Sequence, residues 1–215
     1  MILKNSKLRT LIWIFVFIVV FFLLASIYKE PLINGWDEWV MKHVSILHRA
    51  GLNSFFVFIT NVASRPYQYA LLTFFSIVWL FVERRWREPL VAAVCLIGIR
   101  IGNQWLKDLF QRERPSFDRI IEITGYSFPS GHAMISFAFF GILAYLLVQN
   151  YPVLQAYKKQ VYGITGIFVL LVGFSRVYLG VHFPTDVLAG FSAGAAWLFI
   201  CVMLYNFLKG NRETL

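Results

Sequence analysis

Apolar runs alternate with short polar segments along almost the whole chain. Residues 11–28 contain no charge, and as a helix they reach across a hydrocarbon core of about 30 Å. Comparable runs recur at 67–82, 89–106, 132–149, 161–179 and 186–208. The pattern predicts an all-α protein, a bundle of six transmembrane helices. Between the first two runs the period changes. Trp36, Trp39, Val40, His43, Val44 and Leu47 recur at helical spacing, with Asp37, Glu38 and Lys42 falling on the other face. This predicts an amphipathic helix lying on the membrane surface, with His43 and His48 as ordinary residues of it. A second apolar stretch, 55–62, is too short to span and stops at Arg65-Pro66; it reads as an interfacial or re-entrant helix.

Composition narrows the class. Of 215 residues 59% are hydrophobic and only 14% charged, against about 25% charged in an ordinary soluble domain. A soluble globule of this size could not bury that much apolar surface. No repeat, linker or low-complexity tract breaks the pattern, so residues 1–215 read as one integral-membrane domain. Cys95 and Cys201 both lie inside apolar runs, so no disulfide framework is implied.

The net charge of +9 would suggest a nucleic-acid partner in a soluble protein. Here it belongs to membrane topology. With the first run entered from the cytoplasm, Lys4, Lys7, Arg9, the basic residues of 83–88 and 150–160, and Lys209 and Arg212 all fall inside, in short segments. That density of positive charge places both termini in the cytoplasm. No nucleic-acid partner is expected; the bilayer is the expected environment.

Three polar clusters do not suit a plain bundle. They are Lys107 with Arg114-Pro115, Pro129-Ser130-Gly131-His132, and Ser175-Arg176 with His182 and Asp186. In this topology all fall on the extracytoplasmic side. Lys107, Arg114 and Arg176 supply positive charge, and arginine's planar fork matches phosphate oxygens. Were the chain helical from Lys107 to Arg114, nearly two turns would separate them and both would point one way. Ser130 adds a hydroxyl, Gly131 a closely approachable N–H, and a helix starting at His132 favours an anion. Asp186, four residues after His182, can hold its imidazole in one tautomer while the other nitrogen attacks phosphorus. His132 can protonate the leaving oxygen. No metal-ligand pattern occurs, so a metal-independent reaction without cofactor is expected.

At these residues the sequence resembles the type 2 phosphatidic acid phosphatase superfamily, through Lys107-x6-Arg114-Pro115, Pro129-Ser130-Gly131-His132 and Ser175-Arg176-x5-His182-x3-Asp186. Gly125–Phe128 and Tyr178–Val181 resemble its bacterial lipid-phosphatase branch. The resemblance implies a phosphohistidine at His182, His132 as general acid, Asp186 supporting the nucleophile, and a membrane lipid phosphate or diphosphate as substrate. Phosphatidylglycerophosphate and undecaprenyl pyrophosphate are the leading substrates, and phosphatidic and lysophosphatidic acid share the same interfacial phosphate. A transporter or an inactive lipid-binding relative are the competing classes; motifs gathered near one interface oppose the first and intact histidines oppose the second. Arg100, seven residues before Lys107 and about 10 Å deeper on a helix, reads either as a structural pair within the bundle, the commoner case, or as a substrate contact.

Overall fold

The computed structural model describes residues 6–116 and 118–210; Lys4 and Arg212, counted above with the cytoplasmic charges, lie outside the described residues. In chain order the helices are α1 (Ser6–Ile27), α2 (Pro31–Ser45), α3 (Ala50–Val62), α4 (Arg65–Ile77), α5 (Arg87–Phe110), α6 (Gly131–Asn150), α7 (Pro152–Ala156), α8 (Lys158–Tyr178) and α9 (Pro184–Gly210). No strand occurs among the described residues.

Five helices, α1, α5, α6, α8 and α9, are long and apolar enough to cross a membrane. Phe15, Phe22, Trp105, Ile164 and Phe207 stand outward from them, as suits helices whose solvent is lipid. This is a multi-pass membrane protein. The run at 67–82, expected as a sixth span, is built differently from the others. It is the 13-residue α4 followed directly by a five-residue π-helical segment, Val78–Val82. Trp79 of that segment is fully buried in the bundle core, beside Leu96, Ile99, Phe139, Ile142 and Leu146.

One face assignment on the amphipathic α2 is corrected. Asp37, assigned to the solvent face, is fully buried, while Trp36 and Trp39 are exposed. The helix has a polar inward residue because α9 and the loop after α5 offer it partners: Asp37 accepts from Thr185 N–H at 3.0 Å and from Arg112 Nη2 at 2.8 Å. Met41, Val40 and Val44 pack inward beside it. His48 is not on that helix either. It follows its end, where Nε2 meets the Tyr178 carbonyl at 2.8 Å and Nδ1 lies 3.3 Å from Asp118.

Two glycines let α9 lie close against α6. A Cβ at Gly190 would lie 2.7 Å from the Ser130 carbonyl oxygen, and one at Gly194 would lie 2.4 Å from that of Met134. Small residues four apart let α9 approach the backbone of α6. The start of α9 is thereby set against the start of α6, and Ser130 N–H donates to the Asp186 carbonyl at 3.0 Å. After α8 the chain turns through Gly180, whose φ of +71° suits glycine, and this turn delivers His182.

Candidate active site

The end of α5, the starts of α6 and α9 and the end of α8 meet at one end of the bundle, so the three polar clusters converge there. Lys107, Arg114, Gly131 and His132 line a cavity of about 400 Å³. Ser130, Arg176, His182 and Asp186 are buried. The chain is not helical all the way from Lys107 to Arg114. α5 ends at Phe110, Gln111 adopts a left-handed φ of 47°, and its N–H returns to the Lys107 carbonyl. Lys107 therefore reaches the cavity from a helix and Arg114 from a loop. Tyr28 holds that loop by stacking on Phe128, ring centroids 4.7 Å apart.

His182 is tied at both nitrogens. Nδ1 lies 3.2 Å from Ser127 Oγ and 3.5 Å from Asp186 Oδ2, while Ser127 Oγ donates to the same carboxylate oxygen. The carboxylate expected to hold the imidazole directly does so mainly through a hydroxyl. On the opposite edge Arg114 Nη1 donates to Nε2 at 3.1 Å. Burial first, then the charges of Arg114, Lys107 and Arg176, push the His182 pKa well below the ordinary histidine range. The ring is held neutral, with a lone pair on Nε2.

Asp186 occupies the third position of α9 and reaches back to the N–H of Phe183 at 2.9 Å, half of a capping box. Its other oxygen accepts from Arg112 Nη1 at 2.8 Å. Arg114 is aimed by three backbone carbonyls besides His182: Gly125 and Val181 at 2.8 Å and Thr124 at 3.4 Å. Lys107 Nζ donates to the Tyr126 carbonyl. Arg176 Nη1 donates to Thr60 Oγ1, but its Nε, like the Ser130 hydroxyl, is buried without a partner among the described residues. Ser130 does not spend its side chain on capping α6. Buried donors left open in this way favour an arriving acceptor.

Residues 88–209 match the sequence profile of the PAP2 superfamily. The chain belongs to the PAP2 superfamily. Among relatives, it is 34% identical to phosphatidylglycerophosphatase B of Bacillus subtilis, over 84% of this chain and 88% of that protein. It is 28% identical to an undecaprenyl-diphosphatase of Sulfolobus acidocaldarius, over 87% and 89%. The crystal structure of a transmembrane PAP2-type phosphatidylglycerolphosphate phosphatase from Bacillus subtilis superposes with a TM-score of 0.85 at 32% identity, covering 94% of this chain and 96% of that one. The LpxE protein of Aquifex aeolicus shares the fold, with a TM-score of 0.62 at 21% identity, over 76% and 93%.

Two groups of this PAP2 site escape a reading of the sequence. Ser127 lies within the Gly125–Phe128 run, where nothing in the sequence marks the serine itself as part of the site. Arg112 has 7% of its side chain exposed and bonds Asp37 and Asp186, each at 2.8 Å. It also donates to Thr185 Oγ1 at 2.7 Å and Asn34 Oδ1 at 3.0 Å. The available signal was an arginine two before Arg114, with an acid on a helix otherwise taken as superficial. Arg100 has a partner in the bundle, as the commoner reading expected: it donates to Gln68 Oε1 and lies over the Tyr69 ring, 5.1 Å from its centroid. It also lines the cavity.

Proposed function

We propose that this PAP2 protein is a membrane lipid phosphatase that removes the terminal phosphate of a lipid phosphate or diphosphate through a phosphohistidine on His182. The single observation that carries the reading is the joint arrangement around Arg114. A neutral His182 is held through Nδ1 by Ser127 and Asp186, with Arg114 on its Nε2. Arg114 in turn lines one cavity with Lys107 and His132.

The incoming phosphate takes over the Arg114 donor and frees Nε2, which forms a bond to phosphorus as the phosphorus–leaving-oxygen bond breaks. His132 gives that oxygen its proton. It then accepts a proton from the water that cleaves the phosphohistidine, releasing phosphate and restoring His182. Negative charge on the equatorial oxygens is met by Lys107, Arg114 and Arg176, by the Ser130 hydroxyl, and by the N–H of Gly131 at the start of α6. No step calls for a metal or cofactor.

Similarity to phosphatidylglycerophosphatase B supports a phosphatidylglycerophosphate-type substrate. The likeness to an undecaprenyl-diphosphatase supports undecaprenyl pyrophosphate as the second reading. In the membrane, α4 with its π-helical segment completes a six-span bundle, one domain with both termini in the cytoplasm. The cavity then opens on the extracytoplasmic face.

The test is trapping of labelled phosphoenzyme in the detergent-solubilised protein, with rates on a lipid phosphate and an aryl phosphate. His182→Ala forms no phosphoenzyme. His132→Ala loses about 10²–10⁴-fold on the lipid and less on the aryl phosphate, whose leaving group needs no proton. A phosphoenzyme in His182→Ala sinks the assignment.

A further inference from the structure

The cavity beside His132 extends past the groups that would hold the breaking phosphate. Along α5 it runs from Lys107 past Asn103 to Arg100, and α4 contributes Arg65 and Gln68 to its wall. Arg100 lies two turns from Lys107, about 10 Å along the helix. Its position is built. Buried Gln68 donates its amide to the Ala63 carbonyl at 2.8 Å, leaving its oxygen to accept from Arg100. Tyr69 supports the guanidinium face. The order along the cavity is set by α5. Lys107 bonds Tyr126, next to the Ser127 that holds His182. Asn103 donates to the Pro129 carbonyl at 3.3 Å, at the start of the His132 segment. Arg100 comes after both.

Charge makes this end of the cavity expensive as it stands. Arg65, Arg100, Lys107 and Arg114 face one space, and Asp108 is the one carboxylate among its lining side chains. Asp108 is taken by the Gln104 amide at 3.0 Å. Among the described residues no carboxylate pairs with Arg65 or Arg100, and Arg100 Nε is buried without an acceptor. Gln68 and Tyr69 position Arg100 but do not neutralise it. Like charges sharing a half-buried space are unfavourable until an anion joins them. One phosphate is already matched by Lys107, Arg114 and Arg176.

In-line displacement puts the leaving oxygen opposite His182 Nε2, toward His132 in the mechanism proposed above, and Arg100 lines the same cavity as His132. Resting on the phosphatase reading above, the geometry points to a second anion subsite, made by Arg65 and Arg100, for a non-scissile phosphate on the lipid side of the breaking bond. The substrate class is then a lipid headgroup with two phosphates, joined directly or through a short spacer, in preference to a lipid with a single phosphate.

The experiment compares kcat/KM for phosphate release from phosphatidylglycerophosphate, undecaprenyl pyrophosphate and phosphatidic acid. It uses the full-length protein in detergent, its Arg100→Gln and Arg65→Gln variants, and Arg100→Lys. The quantity read is the ratio of a two-phosphate lipid to phosphatidic acid. Each glutamine variant lowers it about ten- to a hundredfold, the worth of a charge-assisted hydrogen bond, and Arg100→Lys retains part of it. The two-phosphate lipid on which the ratio falls identifies the source of the second anion. Arg65 is exposed, so its variant keeps the test open if Arg100→Gln folds poorly. A ratio that stays where it was on both lipids, whether the rates hold or fall together, overturns the subsite and leaves the phosphatase reading standing. An unmodified protein that releases phosphate from none of the three overturns both.

Discussion

Replacing Arg112 by methionine is the sharpest test of how the site is held. The methionine keeps much of the side-chain volume and removes the charge. Arg112 makes charge-assisted hydrogen bonds to Asp37, Asp186, Thr185 and Asn34, and both carboxylates have no exposed surface. Removing one partner of a buried ion pair costs about 3–5 kcal/mol, because a buried charge is left uncompensated. At this chain length each kcal/mol moves Tm by about 2–4 °C, so the variant melts about 6–20 °C lower. The loss carries a pH signature. Burial already holds the Asp37 carboxyl above its ordinary range, opposed by its bonds to Thr185 and Arg112. Without Arg112 the folded pKa rises further. A carboxyl whose pKa rises on folding destabilises the fold when ionised, so the deficit is full above the folded pKa. It fades as pH falls through that value toward the ordinary one. The assay is thermal unfolding in detergent across pH for the parent, Arg112→Met, and Arg112→Met with Asp37→Asn. The gap between parent and single variant narrows on acidification, and the double variant recovers part of it at neutral pH. A single variant that melts with the parent, or a double variant that recovers nothing, refutes the argument from buried charge.

Two further outcomes follow from the same geometry. Ser127→Ala removes the nearest acceptor of His182 Nδ1, and an unsatisfied buried donor costs about 1–3 kcal/mol; kcat falls about ten- to a hundredfold with KM little changed, and an unchanged kcat would mean that Asp186 orients the ring unaided. For sidedness, Glu122→Cys places a thiol on the exposed loop between α5 and α6, against a background of two buried cysteines; it reacts with an impermeant reagent in intact cells, and labelling only after lysis would invert the topology.

The linear pattern determined the parts of this protein that depend on local repetition or on residue type. Apolar runs long enough to cross a bilayer located α1, α5, α6, α8 and α9, since in lipid a spanning segment must satisfy its own backbone. The motif spacing brought Lys107, Arg114, Ser130, Gly131, His132, Arg176, His182 and Asp186 under suspicion because few tasks need those donors and acids together. What it left undecided turns on partners far away in sequence. Asp37 looked solvent-facing because helical periodicity places a charge relative to its own helix and says nothing of Arg112 and Thr185 packed against it. Ser127 was silent because a serine gains meaning only when His182 and Asp186 are folded onto it. Whether the path to Arg114 was helical stayed open until the left-handed turn at Gln111 ended α5, and α4 looked like its neighbours although its last turn is π-helical. The close approach of α6 and α9 through Gly190 and Gly194 belongs to tertiary structure as well: glycine permits contact between backbones, and only the packed bundle says which two meet.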